Sequence, residues 1–308
     1  QFIVGLDMSL LKRISWLIQR RKKFPHDDIH RAGELAEMRL AKLSRAAGKA
    51  NGWQIFESVR IPDPDGGRRE IDMVLIGGNV MLVVEQKHWA GSFRINKEHH
   101  FIQRRKNGQE HSHAGVADRI ARKARLLMEL HSSRLELSET DLPELRVIVA
   151  MTHHKLEWPK IPGDLSAEMV NEKGFLDILK SVNPGKPNDD LVETLSGFNT
   201  WDEVHMYGGL LNKGDVISLG LGDQLETMFE QRDCELGGGT VHNRGWFSLF
   251  DKQPSAAEIK IGSKNVELRI AHGANLTMHV VGEAAPREIP WASIDRIALS
   301  KPAAEWNR

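Results

Sequence analysis

The sequence holds a single cysteine, Cys234, in 308 residues, so no disulfide can form within the chain. Stability must come from packing, and such thiol usage points to a reducing compartment, read here as the cytoplasm. No Cys/His spacing of a zinc site is present. No stretch is apolar for long enough to cross a bilayer. Charge of one sign is not in excess, with 42 Lys+Arg against 42 Asp+Glu, so the total argues neither for nor against a polyanionic partner. Tandem repeats and low-complexity tracts are missing as well, which excludes solenoids and collagen-like arrays.

What is there suits a folded protein. Apolar residues make up 40% of the chain, too many for a disordered segment. The length suggests two domains. Charge is unevenly placed: 94–125 carries nine Lys/Arg against three Asp/Glu, whereas 187–240 carries two against eleven. Only the first stretch offers a surface suited to phosphate. Near the start, Leu10, Leu11, Ile14, Leu17 and Ile18 recur at helical spacing beside Trp16, with six basic residues from Lys12 to Lys23. Two readings stand. The segment lies on an anionic membrane surface as an amphipathic helix, or, as preferred here, it is a terminal helix packed on a domain.

Asp27 and Asp28 can cap a helix over 29–47, with Ile29, Ala32, Ala36, Leu40, Leu43 and Ala47 as its apolar stripe. Strands are predicted over 53–61, 70–76 and 80–87, the last two joined through Gly77-Gly78 as a hairpin. A short strand near 92–95, a helix over 115–131, a buried-type strand over 145–151 and a helix over 171–182 follow. The pattern predicts an α/β domain with a mixed sheet flanked by helices. After about Phe198 short apolar runs alternate with Gly-rich turns, including 246–250, with one helix near 221–230. That spacing predicts a small β sandwich or barrel. The expected division is a basic amphipathic helix over 1–27, an α/β domain over 28–197 and a β-rich accessory domain over 198–308, the last serving binding or homo-oligomerisation.

The chemistry gathers on the predicted hairpin. Glu85 and Lys87 are two residues apart, so strand alternation places them on one face. Asp72 lies on the neighbouring strand. Two carboxylates and an amine converging at strand ends suit phosphodiester hydrolysis. The carboxylates are hard oxygen ligands for Mg²⁺ or Mn²⁺, such an ion polarises a phosphate, and the lysine stabilises charge as it builds. The backbone carbonyl of Gln86 is a further candidate ligand. The competing reading is a solvated face carrying a cross-strand ion pair. Against it stands the run Val80-Met81-Leu82-Val83-Val84, apolar at every position, which predicts a strand buried on both faces.

The segments Arg69-Glu70-Ile71-Asp72-Met73-Val74-Leu75-Ile76 and Val83-Val84-Glu85-Gln86-Lys87-His88-Trp89-Ala90-Gly91, with Gly33-Glu34 upstream, closely resemble the nuclease-related domain (NERD) family. That family is similar to the PD-(D/E)xK phosphodiesterases, which include restriction endonucleases and Holliday-junction resolvases. The resemblance covers roughly residues 30 to 150. It implies a restriction-endonuclease-like fold, a Mg²⁺- or Mn²⁺-dependent endonuclease acting on DNA, with RNA left open, and a role in DNA processing or defence against foreign DNA. By the resemblance Asp72 and Glu85 bind metal, Lys87 is the catalytic lysine, and Glu34 completes the site from the first helix. Glu37, one turn on, competes with Glu34 for that role. The chain departs from the family at Ser112-His113-Ala114-Gly115-Val116-Ala117-Asp118, where an Asn-Pro-x-x-Gln-like segment is common, and Asp118 stands where Gln is frequent.

Further candidates surround this core. Arg104, Arg105 and Lys106, with Arg119, Arg122 and Lys123, can hold phosphates without regard to base sequence. The alternative is a solvated helix face. His111, His113, His153 and His154 are candidate proton carriers or ligands, more often neither. Trp89 can stack on a base or pack, and packing is the expectation. A fold-bearing protein that binds nucleic acid with little catalysis is the rival to the nuclease.

Overall fold

The computed structural model describes residues 14–15, 18–19, 22–25, 28–181, 184–222, 232, 234–237, 255–261, 264–270 and 273–307. Most of the basic N-terminal segment, the helix expected near 221–230 and the strand expected over 246–250 lie outside the described residues. Among the described residues, no helix is long and apolar enough to cross a membrane.

The chain divides into two units. One comprises 28–199 with 303–308, the other 1–27 with 200–302. This differs from a boundary drawn at Phe198, because the last residues return to the first unit. Asn307 is buried, its side chain donates to Gly197 O at 3.2 Å, and its carbonyl accepts from Arg68 at 2.7 Å. In the other unit, Phe24 N donates to Tyr207 O at 2.7 Å and Leu210 N to Phe24 O at 3.0 Å, which ties the N-terminal segment to that unit's sheet.

The first unit opens with α1 (Asp28–Asn51), then β1 (Gln54–Pro62), β2 (Arg68–Gly77) and β3 (Val80–Lys87). Next come β4 (Gly91–Ile95), β5 (Phe101–Arg104), β6 (Glu110–His113) and α2 (Val116–Leu135). β7 (Glu144–Met151), β8 (Leu156–Glu157), β9 (Glu168–Asn171), α3 (Glu172–Ser181) and α4 (Asp189–Ser196) complete it. Its main sheet has the order β1-β2-β3-β7-β9. β1, β2 and β3 are antiparallel neighbours, whereas β3, β7 and β9 run parallel. A smaller sheet, β6-β5-β4-β8, stands beside it. The hairpin β5–β6 and helix α4 are not in the sequence reading.

Both faces of the main sheet are covered, and the alternation of β3 shows how. Met81 and Val83 join a cluster with Val116, Ile120, Ala124 and Leu127 of α2. Leu82 and Val84 join the opposite cluster, with Leu40 and Ala41 of α1 and Phe175 and Leu179 of α3. All four of these β3 side chains are at most 1% exposed, as expected of a strand sandwiched between helix layers. The inward stripe of α1 is Ala36, Leu40, Ala41, Ser44 and Gly48, turned by one residue from the stripe read through Leu43 and Ala47. Its small members let the helix lie close to β1: a Cβ on Gly48 would stand 3.0 Å from Ile55 Cδ1.

The second unit contains β10 (Asp202–Met206), β11 (Leu211–Ser218), β12 (Cys234–Gly237), β13 (Ser255–Ile261), β14 (Lys264–Ile270), β15 (Asn275–Val280), β16 (Arg287–Pro290) and β17 (Ile294–Leu299). These strands form one antiparallel sheet in the order β14-β13-β12-β17-β10-β11-β15-β16. Trp291, 1% exposed, anchors its core and donates from Nε1 to Leu219 O at 2.7 Å. The buried Asp202 carboxylate accepts from Val216 N, Ser300 N and Arg232 Nη1, all within 2.9 Å, so its charge is fully compensated.

Candidate active site

The site forms where two strands part. β2 and β3 pair from Gly77–Val80 only as far as Met73–Val84. Beyond that point β2 stays paired to β1, and β3 stays paired to β7 as far as Lys87–Met151. The amide of Gln86 then has no partner in the β2 ladder, and the Asp72 carboxylate takes it: Gln86 N donates to Oδ2 at 2.7 Å. A buried donor that leaves a ladder must find an acceptor, and here the acceptor is one of the predicted metal-binding carboxylates. Opposite Asp72 on β1, Ser58 is a non-glycine residue with φ of 49°, a strained backbone position of the kind found near active sites.

Glu85 and Lys87 continue the alternation of Met81 and Val83, so both face α2. Lys87 Nζ donates to Glu85 Oε1 at 2.6 Å. Lys123, from α2, donates from Nζ to Glu85 Oε2 at 2.9 Å. The three side chains are 14% (Glu85), 24% (Lys87) and 18% (Lys123) exposed, at the edge of solvent rather than in it.

The electrostatics follow from crowding at partial burial. Burial and then the neighbouring Glu85 charge push the Asp72 carboxyl up to about 7. For Glu85 burial acts upward as well, but the ammonium groups of Lys87 and Lys123 outweigh it and hold the carboxyl below its ordinary value. Burial alone would lower Lys87, yet Glu85 and then Asp72 pull it above its usual range, with a further contribution from Glu37. The lysine therefore stays an ammonium, and the two carboxyls have been driven apart in acidity.

The strand end is held from β7. Thr152 N donates to Lys87 O at 3.0 Å, and Thr152 Oγ1 meets His88 Nδ1 at 2.9 Å. The Gln86 side chain is buried against the same hydroxyl at 3.5 Å. Trp89 stacks on His113, with centroids 4.1 Å apart, and lies edge-on to Phe93 and Phe101. It therefore packs the small sheet. Gly91 follows with φ of 91°, and a Cβ there would stand 2.2 Å from the carbonyl oxygen of Arg104. The Trp-Ala-Gly segment thus has a physical cause: a packed ring, then a backbone contact that admits no side chain.

Asp72, Glu85, Lys87 and Lys123 are brought together. The sequence groups Lys123 with a phosphate-binding helix face, whereas its ammonium donates to Glu85. The signal was present, since Lys123 follows Ile120 by three residues and precedes Leu127 by four, on the buried stripe. Of the two helix acids, Glu37 is the one whose charge acts on Lys87, and Glu34 is half-buried one turn earlier. Among the described residues, no group of three His, Cys, Asp or Glu side chains gathers to hold a metal. The donors brought together are the two carboxylates of Asp72 and Glu85.

The basic candidates divide. Arg122 is engaged by the β1–β2 turn, at 2.5 Å from Asp65 and 3.6 Å from Asp63. Arg105 and Arg119 lie near enough to His113, as does Lys87, to help burial lower its pKa. Lys106 acts in the same way on His153. Arg104, Arg105 and Lys106 are exposed at the end of β5 and in the turn to β6. His88 lies near His153, with ring centroids 4.9 Å apart, and His153 stacks on His154 at 5.2 Å. Asp118 accepts from the Ser166 hydroxyl at 2.6 Å.

An acid pair and a lysine thus meet at the parting of two strands, in a mixed sheet covered on both faces. Residues 32–150 match the family model of the nuclease-related domain, NERD. The match contains Glu34, Glu37, Asp72, Glu85, Lys87 and Lys123. No curated protein matches the chain.

Proposed function

We propose that the chain is a Mg²⁺- or Mn²⁺-dependent nuclease that cleaves or nicks DNA through a PD-(D/E)xK centre of Asp72, Glu85 and Lys87. The observation that carries this reading is the pairing of the Asp72 and Glu85 carboxylates where β2 and β3 separate, with the Lys87 ammonium 2.6 Å from Glu85. Two carboxylates fit Mg²⁺, which commonly takes one or two of them and completes its shell with water and phosphate oxygens. Asp72 and Glu85 would hold the ion, with Glu37 or Glu34 contributing from the helix. When bound, the ion supplies a Lewis acid that polarises the phosphodiester.

The protein's own groups do the rest. Lys87 remains protonated beside two carboxylates, so it can donate to a phosphoryl oxygen as negative charge builds there. The Gln86 amide and the Thr152 contacts fix Asp72 and the Lys87 backbone, which places the reacting groups before substrate arrives. Arg104, Arg105, Lys106 and Arg119 would grip the sugar–phosphate backbone without reading bases. DNA processing or defence against foreign DNA, in a reducing cytoplasm, is the setting this reading implies. The eight-stranded unit is then an accessory domain for binding or self-association.

The test is cleavage of supercoiled plasmid with Mg²⁺ or Mn²⁺, and with chelator. Lys87→Ala, Asp72→Asn and Glu85→Gln are each expected to lower the rate by at least about 10²-fold. Cleavage retained in all three would refute the centre. Salt-sensitive DNA binding with no cleavage under either metal would favour the binding protein instead.

A further inference from the structure

We propose that Lys123 is a resident counter-cation of the active centre, which occupies a Glu85 oxygen that a divalent ion needs and must leave it when the ion binds. The inference rests on the metal-centre reading above and assigns Lys123 a different task from Lys87.

Glu85 has two carboxylate oxygens, and each is claimed by a different ammonium. Oε1 is held by Lys87 at 2.6 Å and Oε2 by Lys123 at 2.9 Å. Across the gap, Asp72 Oδ2 is already committed to the Gln86 amide. A divalent ion entering between the two carboxylates would therefore come within a few ångströms of a positive charge at partial burial, where repulsion between like charges is strong.

One ammonium must move, and the geometry distinguishes the two. Lys87 is on the same strand as Glu85, two residues away, with its backbone tied to β7 through Thr152. Lys87 is also drawn to Asp72 and Glu37, whereas Lys123 reaches Glu85 from a separate element, α2, on an equally flexible side chain. Its neighbour Arg122 is anchored to Asp65, and Ile120 and Ala124 are buried. The helix therefore stays in place while the Lys123 side chain can withdraw. Metal affinity is accordingly set by a competition built into the protein, and removing the competitor tightens it.

The experiment is a Mn²⁺ titration of the full chain without nucleic acid, reading free Mn²⁺ by electron paramagnetic resonance. Lys123→Met is expected to bind Mn²⁺ roughly tenfold or more tightly than wild type. Lys123→Arg, which keeps the charge, should stay close to wild type. Asp72→Asn should lose binding in both the wild-type and Lys123→Met backgrounds. Melting curves of each variant check the fold, and Lys123→Gln replaces Lys123→Met should the latter not fold. Equal or weaker affinity in Lys123→Met, with Asp72→Asn still abolishing binding, overturns the role of Lys123 and leaves the metal centre standing. Undiminished binding in Asp72→Asn in both backgrounds overturns the metal centre and this inference together.

Discussion

Asp72 shows how one side chain can be set for two purposes. It accepts the amide that β3 releases on leaving β2, and its carboxyl is raised from 3.8 to about 7 by burial and by Glu85. Between those values the unfolded chain gives up this proton and the folded one keeps it. The folded state then binds more protons, so stability falls as pH rises through that window and the contribution is lost above about 7. Asn carries no such proton and its amide oxygen can still accept from Gln86. In chelator, Asp72→Asn should melt above wild type at pH 8, by on the order of 1–2 kcal/mol after allowing for solvent at the site's edge, and close to it at pH 4. Thermal melts across that range check it, and a gap that does not grow with pH contradicts it. Alternation and spacing place Asp72, Glu85 and Lys87 on neighbouring strands, whereas their grouping as a site came from the family resemblance. The place of Lys123 on the buried stripe of α2 was legible, but not its partner, because a basic helix residue has the same signature whether it meets phosphate or a carboxylate.

Elements with strong apolar periodicity were legible, and weakly patterned ones were not. β3 runs from Val80 to Lys87 as read, since five consecutive apolar residues, the last four of them buried, leave no solvent-facing alternative. β5 and β6 were missed because Phe101–Arg104 and Glu110–His113 are too short and too polar to show a period. Their positions are fixed instead by the packing of Trp89, Phe93 and Phe101. The hairpin that carries the site was read through its glycines, with a refinement. Gly77 pairs with Val80, so Gly78 and Asn79 form the two-residue turn. Gly78 has φ of 54°, and a Cβ there would lie 2.1 Å from the Pro184 carbonyl oxygen. Gly78→Ala therefore combines a left-handed backbone with a collision against main chain. It should cost about 2 kcal/mol or more in urea unfolding, and a loss under about 0.5 kcal/mol would show that the turn relaxes freely.

At the scale of the molecule, the spacing of apolar runs and turns predicted an α/β part and a β-rich part, and the described residues form a five-stranded mixed sheet in one unit and an eight-stranded antiparallel sheet in the other. The return of Ala304, Trp306 and Asn307 to the first unit was not legible, because a six-residue tail has no period to read. Trp306 packs edge-on against Phe198, and Ala304 N donates to Gly197 O at 2.8 Å. The proposed function stands on a divalent cation that Asp72 and Glu85 would hold where β2 and β3 part. The most direct measurement is an anomalous difference map from crystals soaked in Mn²⁺, searched over the whole chain. The account predicts its strongest peak about 2.1 Å from carboxylate oxygens of both Asp72 and Glu85, with Lys123 Nζ moved off Glu85. A strongest peak elsewhere, or none at these two carboxylates, contradicts it.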